Sequence, residues 1–347
     1  MAKRYCCPEC FGDRVLRDEI FPTLGPTLGN CDFCGTINTK LVEPADLADY
    51  FELLVNVYEP DHDGKTLVEW MKDDWLIFSH ERMDNAHAKD LLSEILNDGE
   101  VVRRPFQPSS SYNSDGLALW DKLRDEMMHS NRWFLDVTID EERLKELLEM
   151  LIAKDLPLKW YRSRIKTEDR AFQIDEMGAP PKRRSSNGRA NPAGIPYLYL
   201  GSLPETAVAE VRPHTGEVAC VATFEIPDIK AADLRNPREL VSPFILEDAR
   251  QIAQLRADLP FLERLGEELT RPVQPSGAAI DYIPSQYLCE FIKKKGFDGV
   301  VYRSSVSEGI NLALFNPEQA VGGQVSVYNV DRVSVQVAAL EKQTDFL

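Results

Sequence analysis

Apolar residues recur at two different periods along this chain, and the change of period divides it. Between about residues 41 and 155 they fall at helical spacing: Leu47, Tyr50, Phe51 and Leu54, then Leu91, Leu92, Ile95 and Leu96. Steps of three and four place such residues on one face of an α-helix. Asp140-Glu141-Glu142 opens a further helix, with acidic residues in the first turn, where the helix dipole is positive. Behind it Leu144, Leu147, Leu148 and Leu151 form one apolar stripe, which reads as core rather than as a binding surface.

From near Leu156 the pattern changes. Trp160-Tyr161-Arg162-Ser163-Arg164-Ile165 alternates as a strand does, and Ile195 to Leu200, Val218 to Ile226, Phe297 to Tyr302, Leu312 to Phe315 and Val325 to Val335 are short β-rich runs. Helices are predicted at Pro204 to Val211, Phe244 to Leu259 and Pro284 to Lys295. Strands and helices interspersed in this way give an α+β class. The Gly, Pro and Ser-rich stretch from Gly178 to Gly194 reads as a long loop, a length more often functional than idle.

The first forty residues follow neither period. They are rich in Cys, Gly and Pro, and too short to bury a core without a staple. Cys7-Pro8-Glu9-Cys10 and Cys31-Asp32-Phe33-Cys34 are two CxxC knuckles with 20 residues between them, close to the spacing of zinc ribbons. Two cysteines three positions apart on a tight turn can aim both thiolates at one tetrahedral ion, and two such turns complete its coordination. Cys7, Cys10, Cys31 and Cys34 are therefore the expected ligands of a structural Zn2+ ion, with no position left open for catalysis. Cys6 is a spare thiol, and Cys220 and Cys289 sit in apolar patterns that suit a core. The 347 residues thus divide into a zinc-ribbon-like module at 1–40, a mostly helical regulatory domain at 41–155 and a third unit at 156–347.

Charge narrows the partners. A formal net charge of −17 argues against a broad footprint on nucleic acid or anionic membrane. The amino terminus carries no secretory-type apolar stretch, and no apolar run approaches the eighteen or so residues of a membrane span, so a cytoplasmic protein is expected. An anionic small molecule needs only a local basic pocket. Lys182, Arg183, Arg184 and Arg189 offer one, and equally read as a solvated loop.

The chemistry concentrates in Gly188-Arg189-Ala190-Asn191-Pro192-Ala193-Gly194, followed by Tyr197-Leu198-Tyr199 and then Pro204 to Arg212 with Glu210. Tyr199 lies 10 residues after Arg189, and Glu210 lies 21 after it. In kind, order and offset this run resembles the RES domain, in which a GR-x-N-P-x-G turn leads to a tyrosine strand and a helix carrying glutamate. Tyr161-Arg162-Ser163-Arg164 resembles the family's first strand, and Tyr282-Ile283-Pro284-Ser285-Gln286 the segment bearing its serine. Ser304, after Tyr302-Arg303, is the alternative serine.

The resemblance spans about residues 156 to 340. It implies an ADP-ribosyltransferase-like α+β fold that binds NAD+ and breaks its nicotinamide–ribose bond, as in NAD+-degrading toxins. Arg189, Glu210 and Ser285 are then the catalytic candidates. Arg162, Arg164, Arg189, Tyr199, Glu210, Ser285 and Ser304 are the NAD+-binding candidates. These residue types suit the reaction independently: a carboxylate stabilises an oxocarbenium-like ribose, and arginine forks match phosphate oxygens. Inorganic phosphate, water or a protein can accept the ADP-ribose, and none of these residues distinguishes a phosphorylase or hydrolase from a protein ADP-ribosyltransferase. The absence of a GxGxxG run means that NAD+ would not be held by a Rossmann domain. The family also brings the expectation of an antitoxin partner and of a homodimer.

A second class of function competes. Arg82 and His87 spell R-x-x-x-x-H, the loose signature of HEPN ribonucleases, and the middle segment resembles an extension found on RES and HEPN effectors. An RNA-targeting effector would use these two residues and the zinc ribbon; the acidic charge balance argues against it. His62, within Asp61-His62-Asp63-Gly64, reads as a turn residue.

Overall fold

The computed structural model describes residues 3–334, apart from 168, 275 and 276. The chain folds into two compact units, Met1–Leu151 with Asn236–Glu268, and Ile152–Arg235 with Leu269–Leu347.

In the first unit, two short antiparallel strands, β1 (Thr27–Gly29) and β2 (Thr39–Leu41), accompany the cysteine knuckles. Phe11 from this segment packs at 5.8 Å from Phe51 and 5.7 Å from Phe78, so the first forty residues share a core with the helices that follow. Those helices are α1 (Ala48–Val55), α2 (Leu67–Trp75), α3 (Asn85–Ile95), α4 (Gly116–His129) and α5 (Glu141–Met150). Their starts are written locally. Thr66 and Glu69 form a capping box ahead of α2, and the Asp140 carboxylate accepts from Arg143 N at 2.9 Å to cap α5. Leu144, Leu147, Leu148 and Leu151 are all buried, as the stripe predicts. The segment also holds a strand pair that helical periodicity does not disclose, β3 (Tyr58–Thr66) with β4 (Pro105–Pro108). His62 lies in its irregular stretch, between Pro60 and Lys65.

Residues 236–268 return to this unit as most of a long helix, Ala249–Thr270. Apolar spacing predicts a helix over Phe244 to Leu259; the helix begins later, at Ala249, and runs on through Pro260. A proline costs an internal helix one backbone hydrogen bond, and burial of Phe261, Leu262 and Leu265 beyond it offsets that loss. Buried polar pairs fix the helix in place: Arg256 Nε to Asp74 at 2.6 Å, Arg143 Nε to Asp258 at 2.8 Å, and Trp120 Nε1 to Glu268 at 3.0 Å.

The second unit is built on a seven-stranded sheet. Its strands are β5 (Lys159–Ile165), β6 (Leu198–Gly201), β7 (Val218–Glu225), β8 (Ala231–Asp233), β9 (Gly299–Arg303), β10 (Ile310–Leu314) and β11 (Val321–Asn329). The order is β11-β7-β5-β6-β10-β9-β8, antiparallel except for β8 beside β9. Helices α6 (Pro204–Glu210) and α7 (Ile283–Lys294) complete an α+β fold. The final strand begins at Val321, earlier than alternation alone suggests, because a bulge between Gly322 and Val325 breaks the period; Val335 lies outside the described residues. Trp160, Leu198, Leu200, Cys220, Phe224, Val301, Leu312 and Leu314 form the core, and Cys289 is buried as well.

One irregularity positions the site. β5 pairs with β7 along its whole length but with β6 only at Tyr161 and Gly201. The sheet therefore opens between β5 and β6.

Candidate active site

A cavity of about 460 Å³ lies at this opening, within the size range of small-molecule sites. Arg162, Arg189, Tyr199, Glu210, Arg212, Tyr282, Tyr302 and Asn311 are among its lining residues.

Arg162 reaches from β5 across the gap, where its Nη1 donates to the carbonyl of Tyr199 at 3.2 Å. Its Nε is buried with no hydrogen-bond partner, and among the described residues no carboxylate pairs with it. Burial, and secondly the charge of Arg164, pull its pKa down to about 10, so it remains a cation at neutral pH. A guanidinium with its Nε buried and unpartnered and no counter-ion is costly unless an anion arrives. Arg164 serves elsewhere: it donates to the carbonyl of Glu176 at 2.7 Å and lies over the Phe172 ring at 4.2 Å, and it does not line the cavity.

Arg189 sits on a tightly held loop. Gly188 N donates to Asn191 O, the Gln286 amide donates to the carbonyls of Gly188 (2.9 Å) and Asn191 (3.1 Å), and Ser285 Oγ donates to the carbonyl of Arg189 at 2.6 Å. The phenol of Tyr199 donates to Asn191 Oδ1 at 2.7 Å and accepts from Ala190 N at 3.0 Å. Gly188 has to be glycine here, since a Cβ would stand 2.5 Å from both Asn191 Oδ1 and the Tyr199 hydroxyl. So fixed, the Arg189 guanidinium donates to the carbonyl of Arg271 at 2.7 Å and lies 5.5 Å from the Tyr282 ring centre.

Two of the predicted substrate contacts are thus spent on the loop. Ser285 is fully buried and does not line the cavity, and the Tyr199 hydroxyl is turned to Asn191 while its residue forms part of the wall. Burial raises the pKa of the Tyr199 phenol, and likewise that of Tyr302, so both are neutral donors.

Glu210 ends α6 on the other side. Its Oε1 accepts from Ser304 Oγ at 2.7 Å and from Asn311 Nδ2 at 2.6 Å. Ser304 therefore touches the carboxylate. Arg212, Tyr282 and Tyr302 line the cavity from within the quoted motifs, where they had been given no role, and Asn311 lines it from outside them. The one available signal for Asn311 is a polar residue in the buried strand Ile310–Leu314. Lys182, Arg183 and Arg184 are exposed and outside the cavity, the solvated-loop alternative of the sequence reading.

In the first unit, the Sγ atoms of Cys7, Cys10, Cys31 and Cys34 all lie within 4.8 Å of one another, all four residues are buried, and none is in a disulfide. A tetrahedral ion with metal–sulfur bonds of about 2.3 Å needs sulfurs about 3.8 Å apart, so the four thiols fit one metal ion. Cys6 stands apart, its backbone paired with Val42. Arg82 lies in a turn ahead of α3 while His87 is in its first turn, bonded to Asp84 at 2.9 Å. They do not share a helix face as the ribonuclease reading requires.

The site is thus a cleft in an α+β unit, with the half-buried Arg162 and Arg189 and the held carboxylate of Glu210 on its walls. The chain belongs to the RES family: the RES domain model matches residues 159–336, just over half of the chain. Among solved structures the chain is similar to the MbcT–MbcA toxin–antitoxin complex of M. tuberculosis, at 16% identity over 54% of this chain and 93% of that chain. The TM-score is 0.32. No curated protein matches the chain. Among the described residues, no helix is long and apolar enough to cross a membrane.

Proposed function

We propose that this protein is an NAD+-degrading toxin whose RES domain breaks the nicotinamide–ribose bond. The observation that carries this reading is Arg162, a half-buried cation whose Nε is sealed from solvent with no partner, in a cavity shared with Arg189 and Glu210. Two arginines suit the two phosphates of a dinucleotide, as bidentate clamps on the pyrophosphate. Tyr199 and Tyr282 offer aromatic surface for a flat ring.

As the C1′–nitrogen bond breaks, its electron pair leaves with nicotinamide and positive charge develops on the ribose. A carboxylate at Glu210 stabilises that charge and orients the oxygen that attacks C1′. Inorganic phosphate is the favoured acceptor, since a cleft with Arg162, Arg189 and Arg212 on its walls attracts a further anion; water is the alternative. Ser285 and Gln286 act by holding the Arg189 loop. A Zn2+ ion on Cys7, Cys10, Cys31 and Cys34 has a structural role, four thiolates leaving no open coordination position.

Induced expression tests the reading in cells. The wild-type protein is expected to arrest growth as NAD+ falls, and Glu210→Gln to do neither at equal abundance. Arrest by Glu210→Gln, with NAD+ unchanged, would oppose it.

A further inference from the structure

The turn between β9 and β10 is built against α6. Ser307 Oγ and Thr206 Oγ1 are 2.9 Å apart, Ser202 Oγ accepts from Ile310 N at 3.0 Å, and a Cβ on Gly309 would collide with Thr206. Thr206 and Glu210 are four residues apart and share one face of the helix. This turn therefore meets α6 twice, at Thr206 through Ser307 and at Glu210 through Ser304. Asn311, 4% exposed and the second residue of β10, adds the second donor to Glu210.

Both donors converge on the same oxygen. Oε1 takes Ser304 and Asn311, while among the described residues Oε2 accepts no hydrogen bond. A carboxylate held by two donors on one oxygen has its plane fixed and its other oxygen unspent.

We infer that Ser304 and Asn311 are a positioning pair that locks Glu210 Oε1 and presents Oε2 to the reacting ribose. The inference rests on the proposed reaction for its catalytic consequence and on geometry alone for the lock. Neither residue is a catalytic residue on this account. Ser304 serves the carboxylate and does not hold the substrate. The pairing also explains the polar residue in an otherwise apolar strand: a buried amide needs partners, and Glu210 supplies one.

The test is a set of variants in the full-length protein, read by NAD+ affinity, by turnover and by unfolding. Ser304→Ala and Asn311→Ala are expected to lower kcat by about tenfold to a hundredfold with little change in NAD+ binding. Ser304→Thr, which keeps the hydroxyl, is expected to stay near wild type. Asn311→Asp is the discriminating variant. It preserves shape but sets a second carboxylate against Glu210, so it is expected to be worse than Asn311→Ala; a merely packing role for Asn311 predicts the reverse. Unchanged kcat in Asn311→Asp would overturn the inference. If wild type releases no nicotinamide, the proposed reaction fails and the lock is still read by stability. Asn311→Ala and Glu210→Ala are then expected to be non-additive by at least about threefold in the unfolding constant. Additive effects would sink it.

Discussion

At the scale of single residues, the site sets an uncompensated, half-buried cation against function. Replacing Arg162 by an apolar residue of similar length removes the desolvated charge and with it the means of holding an anion. Arg162→Met is therefore expected to raise the thermal midpoint by a few degrees, on the order of 1 kcal/mol, while NAD+ affinity falls at least about tenfold. Calorimetry and a binding titration on the same samples check both; a less stable variant with normal affinity would show that Arg162 is a packing residue. That Arg162, Arg189, Tyr199 and Glu210 come together around one cavity was legible in the sequence, because their order and offsets carry information. The direction of a hydroxyl does not follow from offset. Ser285 and Tyr199 therefore read as substrate contacts, although their oxygens are bonded to the loop that holds Arg189. Asn311 left no motif, since its role depends on a cross-strand neighbour far away in sequence.

At the scale of elements, the loop at 188–191 and the opening between β5 and β6 make the cleft. The loop has no regular structure and is defined by bonds to its backbone from Gln286, Ser285 and Tyr199. Gly188→Ala forces a Cβ into Asn191 and Tyr199, and the loop has to shift. The expected result is a loss of about 1–3 kcal/mol of stability and a marked rise in KM, measured by denaturant unfolding and steady-state kinetics. Gln286→Ala is expected to do the same more weakly, by leaving the Gly188 carbonyl without a donor and Asn191 O with the Gly188 N–H alone. Strand β5 was legible from alternation and β7 from its β-rich composition. The split beside β5 was not, because period reports which face a residue takes and not which neighbour its strand pairs with. The end of the long helix was missed for a related reason: burial beyond Pro260 outweighs the proline's local preference.

At the scale of the whole molecule, the two units are not consecutive along the chain. Residues 236–268 leave the RES sequence and complete the first unit, through Asp258, Glu268 and Arg256. An amphipathic pattern announces that a helix has an apolar face, but it does not name the core that receives it. The cysteine spacing, by contrast, pointed directly to four thiols that converge. If they hold zinc, the purified protein contains about one zinc ion per chain, and Cys10→Ser or Cys31→Ser loses it along with several degrees of thermal stability. Elemental analysis with a melting curve decides this, and a metal-free wild-type protein of unchanged stability would remove the zinc from the account. The central claim, that the RES cleft consumes NAD+, is tested most directly by nicotinamide release. Purified wild type, Arg162→Met and Glu210→Gln would be incubated with NAD+, with and without inorganic phosphate, and the products separated by chromatography. The account predicts release by wild type, enhanced by phosphate, and at least about a hundredfold less from Glu210→Gln. Equal release by wild type and Glu210→Gln would contradict it, as would none from folded wild type with any acceptor.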